Sequence, residues 1–556
     1  MKLIECVPNF SEGRDRVFID SLKNIVNNHE NVFLLDIDPG ADTNRTVLTF
    51  AGQPDDVINT AYKLIKFASE SIDMRKHTGE HPRMGAIDVC PIVPIEGVSM
   101  KDCINYSKKL AKKVASNLSI PVYLYENSAT KNDRKNLSNI RKGEYEGMTT
   151  KIMEKNWKPD FGPTEFNARS GCTAIGAREF LIAYNINLNT KDKKLATDIA
   201  LDIREAGRLK RDKNGVILRD KNGVGLKKPG KLKFCKAVGW YIDEYNQAQV
   251  SINLTNFKKT NIHRTFEEVR LQARKRGLRV TGSEIVGLVP KKAIIDAGNY
   301  YLKKQKRSQG IPETDIINIA IKSLGLNEID IFKPKNKIIE FSIDNRKKLT
   351  DLSLSNFLDE VSRDSFAPGG GSVAALSGSL GASLTAMVSN LTFSNKKYSK
   401  HKEFHLKSSI LSQKHKSELL HAINNDTDSY NQIIKARRLP KKNNKEIAYR
   451  DKEILKATLN ATDVPFKILK ICTNAIQHTY DVSLKSNVNS ISDIAVASQM
   501  LKSAAKGAYY NILINLNDLP KKYHKHYLET SDYYLKQVDD FHHKIIEYSK
   551  THFINK

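Results

Sequence analysis

The sequence predicts an α+β multidomain protein: two ferredoxin-like (βαββαβ) subdomains in tandem, then an all-α region. Three observations carry this. Short apolar stretches of strand type alternate with helical periodicities up to about residue 328. The order β-α-β-β-α-β occurs there twice. Beyond about residue 340 strand signals fade, while the 3.6-residue periodicity runs on to the end.

In the first unit, residues 3–7 read as a strand and 17–28 as a helix with apolar Val17, Ile19, Leu22 and Ile25. Strands follow at 32–37 and 46–50, a helix at 54–71 and a strand at 86–93. A helix at 100–118 and a strand at 121–125 extend the unit, which is assigned residues 1–179. The second unit, 180–328, reads as strand 180–186, helix 193–208, paired strands 235–242 and 248–254, helix 265–276 and strand 279–286. Inside it RDKNGV occurs at 211–216 and again at 219–224, a duplicated surface loop built on an NG turn dipeptide. Two α/β units side by side leave a cleft between them, a common place for a ligand. The polar, proline-bearing IDIFKPKNKIIE suggests a linker at 329–341, before a helical domain at 342–556.

Composition excludes several classes. With 40% hydrophobic and 27% charged residues, the 556-residue chain has ample material for cores and is neither disordered nor a disulfide-framework protein. The six cysteines lie far apart without a CxxC pair, which argues against a zinc ribbon and for a reducing, cytoplasmic setting. Glu5 interrupts what would have to be the apolar part of a signal peptide. Residues 365–395 carry no charge and could span a bilayer by length, but glycine, serine and alanine dominate, so a buried soluble helix is expected and no membrane span. The formal charge of +28 fits nucleic acid, an anionic substrate or a lysine-rich solvated surface; no basic arm stands out, and no nucleic-acid partner is expected.

Several residues could do chemistry. His77 and His81 in RKHTGEHPRMGAIDVCP have metal-like spacing, but Gly79 and Pro82 place them in a loop and no third ligand is near, so no metal is expected. His81 is either a general acid/base or a hydrogen-bonded structural histidine. Asp36, Asp38 and Asp42 end a strand, where carboxylates face a ligand or simply make the turn. Gly369, Gly370 and Gly371 open a small-residue helix and leave N–H groups free for an anion or a flat ring, or merely allow close packing. Asp426 and Asp428 lie on a helix whose apolar stripe is read as Leu420, Ile423, Thr427, Tyr430 and Ile434. Asp426 falls nearer that stripe, where a carboxyl can have a raised pKa and shuttle a proton.

These strings resemble a known family. LIECVPNFSEG, LLDIDPGADTNRTV, KHTGEHPRMGAIDVCP, FGPTEFNARSGCTAIGAREFLIAYNIN and VGLVP look like glutamate formimidoyltransferase. APGGGSVAA, the aspartate-bearing helix followed by RLP, and AYYNILINL look like formimidoyltetrahydrofolate cyclodeaminase. In this order they resemble the bifunctional formimidoyltransferase-cyclodeaminases of histidine degradation. The resemblance implies transfer of the formimino group from N-formimidoyl-L-glutamate to tetrahydrofolate, then cyclisation to 5,10-methenyltetrahydrofolate with release of ammonia. It implies tetrahydrofolate, polyglutamated, as co-substrate, and dimers assembling into a larger ring. It places the two catalytic residues on His81 and Asp426, with Asp428 as fallback, and a cleft carboxylate on Asp38. Folate contacts fall on Gly162, Pro163, Thr164, Glu165, Phe166, Asn167, Ala168, Arg169, Ser170 and Gly171. A second set falls on Lys452, Glu453, Ile454, Leu455, Lys456, Ala457, Thr458, Leu459 and Asn460. The charge would then hold the folate's γ-glutamate tail. The rival classes are a basic RNA-binding protein, for which no RNP-type aromatic strand is present, and a scaffold retaining inactive domains.

Overall fold

The computed structural model describes residues 2–343 and 348–553. In chain order it begins β1 (Leu3–Cys6), β2 (Asn9–Phe10), α1 (Arg16–Asn27), β3 (Val32–Gly40), β4 (Arg45–Gly52), α2 (Pro54–Ser71) and β5 (Ile87–Glu96). Then come α3 (Met100–Leu118), β6 (Val122–Glu126), α4 (Leu137–Arg141), α5 (Glu144–Lys151) and β7 (Thr173–Ala177). The helix starts are written locally: the Asp15 carboxylate accepts from the Val17 and Phe18 amides, Pro54 occupies the first turn of α2, and Ser99 with Asp102 forms a capping box on α3. On α1 it is Phe18, Ile19, Leu22 and Val26 that are buried, while Val17 points to water.

β1 and β2 lie along one line between β4 and β5, interrupted at Pro8, which has no amide to donate. Strand order β3, β4, β1/β2, β5 is antiparallel throughout, the ferredoxin-like arrangement; β7 and then β6 extend it in parallel. α1, α2 and α3 cover one face, burying Ile4, Cys6, Phe50, Ile92 and Val122 with Leu22, Leu64 and Leu110. The residues of the opposite face carry the polar groups. Glu5 pairs with Ala51 and Val93 there, and Arg45 lies on the same face of β4 six residues before Ala51.

Glu5 is 3% exposed. Burial pushes its carboxyl up to about 7, against the opposing pull of the Arg178 charge. An unfolded glutamate titrates near ~4.3, so as pH rises the unfolded chain ionises first and stability falls until the folded group titrates as well. Glu5→Gln keeps the shape and removes this deficit. Its gain in unfolding free energy should grow between pH 5 and pH 8 to as much as ~3 kcal/mol. Thermal and urea unfolding of parent and variant at both pH values check this; a pH-independent difference would contradict it.

The second sheet repeats the pattern. β8 (Ile182–Leu188), α6 (Lys193–Ile203), the short pair β9 (Arg208–Leu209) and β10 (Lys227–Lys228), β11 (Cys235–Ile242), β12 (Gln247–Leu254), α7 (Ile262–Arg274) and β13 (Val280–Val286) follow in order. Strand order is β11, β12, β8, β13, antiparallel throughout, so the same ferredoxin-like topology recurs. The two RDKNGV copies fold alike: Asp212 accepts from the Asn214 and Val216 amides, and Asp220 from those of Asn222 and Val224. Arg211 and Arg219 donate to the Gly215 and Gly223 carbonyls.

α8 (Lys291–Lys304), α9 (Glu313–Leu324), α10 (Pro334–Lys337) and α11 (Ile339–Ser342) come next. The remainder is helical: α12 (Leu354–Val361), α13 (Gly370–Ser394), α14 (Lys402–Arg437), α15 (Asn444–Ser483), α16 (Ile491–Leu516) and α17 (His524–Phe553). α13 is long and apolar enough to cross a bilayer, yet most of its apolar window is buried, chiefly against α14 and α16. The class is thus α+β, with a sheet-rich N-terminal part and an all-helical C-terminal part.

The contacts divide the chain differently from the expected 1–179, 180–328 and 342–556. One unit comprises residues 1–297 and 320–345, the other 298–319 and 346–556. The turn after α8 explains why 298–319 group with the helices. Ser308 Oγ donates to Asn390 Oδ1 at 2.7 Å, Asn390 Nδ2 donates to the Gly310 carbonyl at 2.7 Å, and Gln413 donates to the same carbonyl at 3.3 Å. A Cβ on Gly310 would lie 2.1 Å from Ser409 Oγ. The expected linker, 329–341, is packed chain. Phe332, Ile338 and Ile339 are buried; the Val289 amide donates to the Lys337 carbonyl and the Ile339 amide to the Val289 carbonyl, which ties the segment to the start of α8.

Candidate active sites

The first site is built around the loop that enters β5. Arg83, almost buried, fixes it. Its guanidinium donates to Glu146 at 2.7 and 2.9 Å and to Glu144 at 3.1 Å, and its Nε donates to His77 Nδ1 at 3.2 Å. Arginine can only donate, so His77 Nδ1 accepts and its Nε2 donates to the Asn44 carbonyl at 3.1 Å. His77 is therefore a structural histidine with both nitrogens engaged. Among the described residues no group of three or more His, Cys, Asp or Glu comes together that could hold a metal.

His81 faces the polar side of the first sheet. Arg45 Nη1 lies 2.7 Å from His81 Nε2 and 3.3 Å from Asn9 Oδ1. By the same reasoning Nε2 of His81 carries the lone pair, and the neutral ring holds its proton on Nδ1. Burial, then the charges of Arg45 and Arg141, push the imidazole down to about 4. Arg141 at the end of α4 pairs with the buried Asp88, whose other oxygen accepts from the Met84 amide at 3.2 Å. Asp38 is exposed on β3, on the same face as Arg45, and its charge acts on that arginine.

The segment 162–171 is stitched to the chain just past His81. The Ala86 amide donates to the Ser170 carbonyl at 2.8 Å, and the Cys172 amide to the Met84 carbonyl at 2.9 Å. Gly171 sits at φ +68°, and a Cβ there would lie 2.4 Å from the Met84 carbonyl, so glycine is required on both counts. Phe166 packs on Tyr145 at 5.3 Å, and Tyr145 donates to the Ala168 carbonyl. Ser170 and Gly171 are buried, Pro163, Phe166 and Asn167 half-buried, and Gly162, Thr164, Glu165, Ala168 and Arg169 exposed. The loop is anchored at its end and open along its middle.

The second site lies where α13 begins. Asp426 on α14 accepts from Ser372 Oγ at 3.1 Å, and Ser372 also donates to the Ile423 carbonyl at 3.0 Å. A Cβ on Gly371 would stand 2.1 Å from Asp426 Oδ1, so the third glycine of PGGGS is the space that the carboxylate occupies. Gly370 faces the Asn511 side chain of α16, and a Cβ on Gly369 would meet only the Phe366 carbonyl, at 3.6 Å. Phe366 and Tyr430 put two rings 6.2 Å apart beside this group. Burial raises the Asp426 pKa and outweighs the Ser372 hydrogen bonds that lower it.

The stripe of α14 differs from the expected one. Leu419, Ala422, Ile423, Ser429, Ile433 and Ala436 are buried, while Leu420 is 37% exposed. Asp426 sits within that stripe, not beside it, and Asp428 is exposed. Residues 452–460 lie on α15. Ala457 packs with Ile433 and Ala436, two turns past Asp426, and Asn460 donates to Gln432 at 3.1 Å, whereas Lys452 and Lys456 face water. Sequence reasoning missed Arg45, Arg141, Asp88, Ser372 and Asn511. Arg45, Asp88, Ser372 and Asn511 all stood inside the quoted strings without being singled out; Arg141 carried no local signal.

The comparisons with known proteins divide the chain into three segments. Residues 3–178 match the formiminotransferase domain, N-terminal subdomain; 183–344 match the formiminotransferase domain; and 353–532 match a model described as formiminotransferase-cyclodeaminase. Over 533 residues the chain is 42% identical to formimidoyltransferase-cyclodeaminase of Dictyostelium discoideum, covering 93% of each. The chain belongs to the formimidoyltransferase-cyclodeaminase family. A mouse formimidoyltransferase-cyclodeaminase is 39% identical over 526 residues, again 93% of each chain. Glutamate formimidoyltransferase of Streptococcus pyogenes serotype M1 is 43% identical over 302 residues, which is 54% of this chain and 94% of that one. His81 and Arg45 thus fall in the formimidoyltransferase part of a formimidoyltransferase-cyclodeaminase, and Asp426 in its cyclodeaminase part.

Proposed function

We propose that the chain is a bifunctional folate-dependent enzyme, a glutamate formimidoyltransferase joined to a formimidoyltetrahydrofolate cyclodeaminase. The first part transfers the formimidoyl group of N-formimidoyl-L-glutamate to tetrahydrofolate and releases glutamate. The second closes 5-formimidoyltetrahydrofolate to 5,10-methenyltetrahydrofolate and releases ammonia. Both steps add a nitrogen to an amidine carbon and then collapse a tetrahedral intermediate, so each needs one group that takes a proton and gives it back. The observation that carries the reading is the pair of environments. His81 is neutral with its lone pair on Nε2. Asp426 is a carboxyl held in a buried stripe with its pKa raised. His81 Nε2 would take the proton of the attacking folate nitrogen and deliver it to the departing glutamate nitrogen. Asp426 would do the same between the ring-closing nitrogen and ammonia. Purified protein given formimidoyl-glutamate and tetrahydrofolate should produce methenyl-folate absorbance and ammonia together; either product missing would remove one half of the reading.

Histidine degradation is the setting in which such a pair of reactions serves, and the six unpaired, buried cysteines support a cytoplasmic, reducing location. Self-association is supported by the uncharged outer face of α13, where Val373, Leu380, Met387 and Leu391 are exposed, and by Tyr510 and Ile514 on α16. The charge of +28 supports a folate whose γ-glutamate tail lies on lysines. A pentaglutamate folate should then bind roughly tenfold more tightly than the monoglutamate, from several exposed contacts of ~0.2–1 kcal/mol each. The advantage should shrink with salt, because the Debye length at ~0.15 M is only ~8 Å. Titration of both folates at two salt concentrations, with an RNA oligomer alongside, checks this. Equal affinities would leave the lysines as solvated surface.

A further inference from the structure

Arg45 is half-buried beside His81 and is held by neutral groups. Its Nη1 donates to His81 Nε2 at 2.7 Å and to Asn9 Oδ1 at 3.3 Å. Among the described residues no carboxylate makes an ion pair with it within 4.0 Å. Asp38 of β3 and Asp88 of β5 act on it only at longer range, and Asp88 is taken by Arg141. A half-desolvated guanidinium without a counter-ion is costly, and its remaining N–H fork suits a carboxylate in the two-toothed manner. The same bond creates a difficulty for the chemistry, because it occupies the only lone pair that His81 has to offer.

We propose that Arg45 receives a carboxylate of the formimidoyl donor and in doing so lets go of His81 Nε2, so that binding the substrate exposes the base. This rests on the transferase reading, which supplies a donor bearing two carboxylates. When the guanidinium turns its fork to the anion, Nε2 is freed toward the attacking nitrogen, and one positive charge beside the ring is neutralised. The charged groups that face the ring are Arg45 from β4 and Arg141 from α4, with Asp88 and Asp38 behind them. With Arg45 compensated, one of the causes that hold the imidazole down is lifted, while burial and Arg141 remain, so the ring becomes a stronger base that can both accept and return a proton. The step consumes nothing else: the proton taken from the attacking nitrogen leaves on glutamate.

The test uses the full chain with Arg45→Gln and Arg45→Lys, and donors in which one or other carboxylate is an amide. The parent should prefer the diacid over one of the amides by roughly 100-fold, the scale of a charge-assisted pair. In Arg45→Gln that preference should fall to a few-fold, with KM for the donor raised and KM for tetrahydrofolate unchanged. Arg45→Lys should keep part of it. The acidic limb of kcat/KM should lie near pH 4 in the parent and move upward in Arg45→Gln, stopping short of an ordinary histidine because burial and Arg141 still hold the ring down, and the parent's kcat limb should lie above its kcat/KM limb. Cyclisation of supplied 5-formimidoyltetrahydrofolate should be unaffected, and the unchanged KM for tetrahydrofolate in transfer shows that the unit carrying Arg45 is folded. Independently of turnover, the His81 resonances should titrate higher when glutarate is added to the parent and not when it is added to Arg45→Gln. Undiminished preference for the diacid in Arg45→Gln, or no response of His81 to glutarate in the parent, would overturn the proposal. A parent that transfers no formimidoyl group would instead overturn the transferase reading, and the glutarate titration would still decide the role of Arg45.

Discussion

His81→Ala should lower formimidoyl transfer by roughly 10²–10⁴-fold and leave the cyclisation of supplied 5-formimidoyltetrahydrofolate at the parent rate. The ring is half-buried, and its Nε2 is the acceptor that Arg45 holds at 2.7 Å, so the substitution removes the lone pair and little packing. The pH dependence has a definite sign. A base must be unprotonated to work, and burial with two guanidinium neighbours puts this one at about 4 in the free chain. Its acidic limb in kcat/KM should therefore lie well below that of an ordinary histidine, near ~6.5. Separate assays of the two half-reactions check the assignment. Transfer within a few-fold of the parent would show that His81 is another hydrogen-bonded structural histidine, as His77 is.

Asp426→Asn should give the converse, with cyclisation down by roughly 10²–10⁴-fold and transfer intact. Asparagine keeps the shape between Gly371 and Ser372 and still accepts from the serine, so the loss reports proton exchange and not packing. Asp428→Asn should cost far less, since that carboxylate faces water on the same helix. Equal damage from the two would mean that the carboxylates titrate as a coupled pair. The release of ammonia and the appearance of methenyl-folate absorbance, followed together in each variant, decide between these outcomes.

Both folded halves were legible in the sequence because their signals are local. Period-2 stretches and caps mark β3, β4, α2 and α3, and the repeated β-α-β-β-α-β order fixes strand order through chain connectivity. β7 was not seen, because Thr-Ala-Ile-Gly-Ala offers one β-branched pair among small residues and is a strand only through pairing with β5 and β6 on either side. The packed segment at 329–341 was misread for a related reason. Lys333 and Lys335 face water, while Phe332 and the adjacent Ile338 and Ile339 are too few to make a period. Around the sites, the residues with unusual spacing could be read, as with GEHPR and PGGGS. Arg45 and Arg141 could not be assigned, because an arginine's role here depends on which carboxylate stands beside it, Asp88 for Arg141 and none for Arg45, a fact of three dimensions.

The interlock of Gly310 with Ser409, Asn390 and Gln413 has a consequence in time. The chain leaves its first unit after residue 297, returns at 320 and leaves again near 345. The partners that order the excursion lie 80 to 103 positions further on. At ~5–20 residues per second, a nascent chain waits roughly 5–20 s before they emerge. Until then Ser308 and Gly310 lack the side chains that hold their turn in the finished protein. It also means that a ribosome halted between residues 320 and 390 presents complete sheets with the 308–310 turn still without its hydrogen-bond partners.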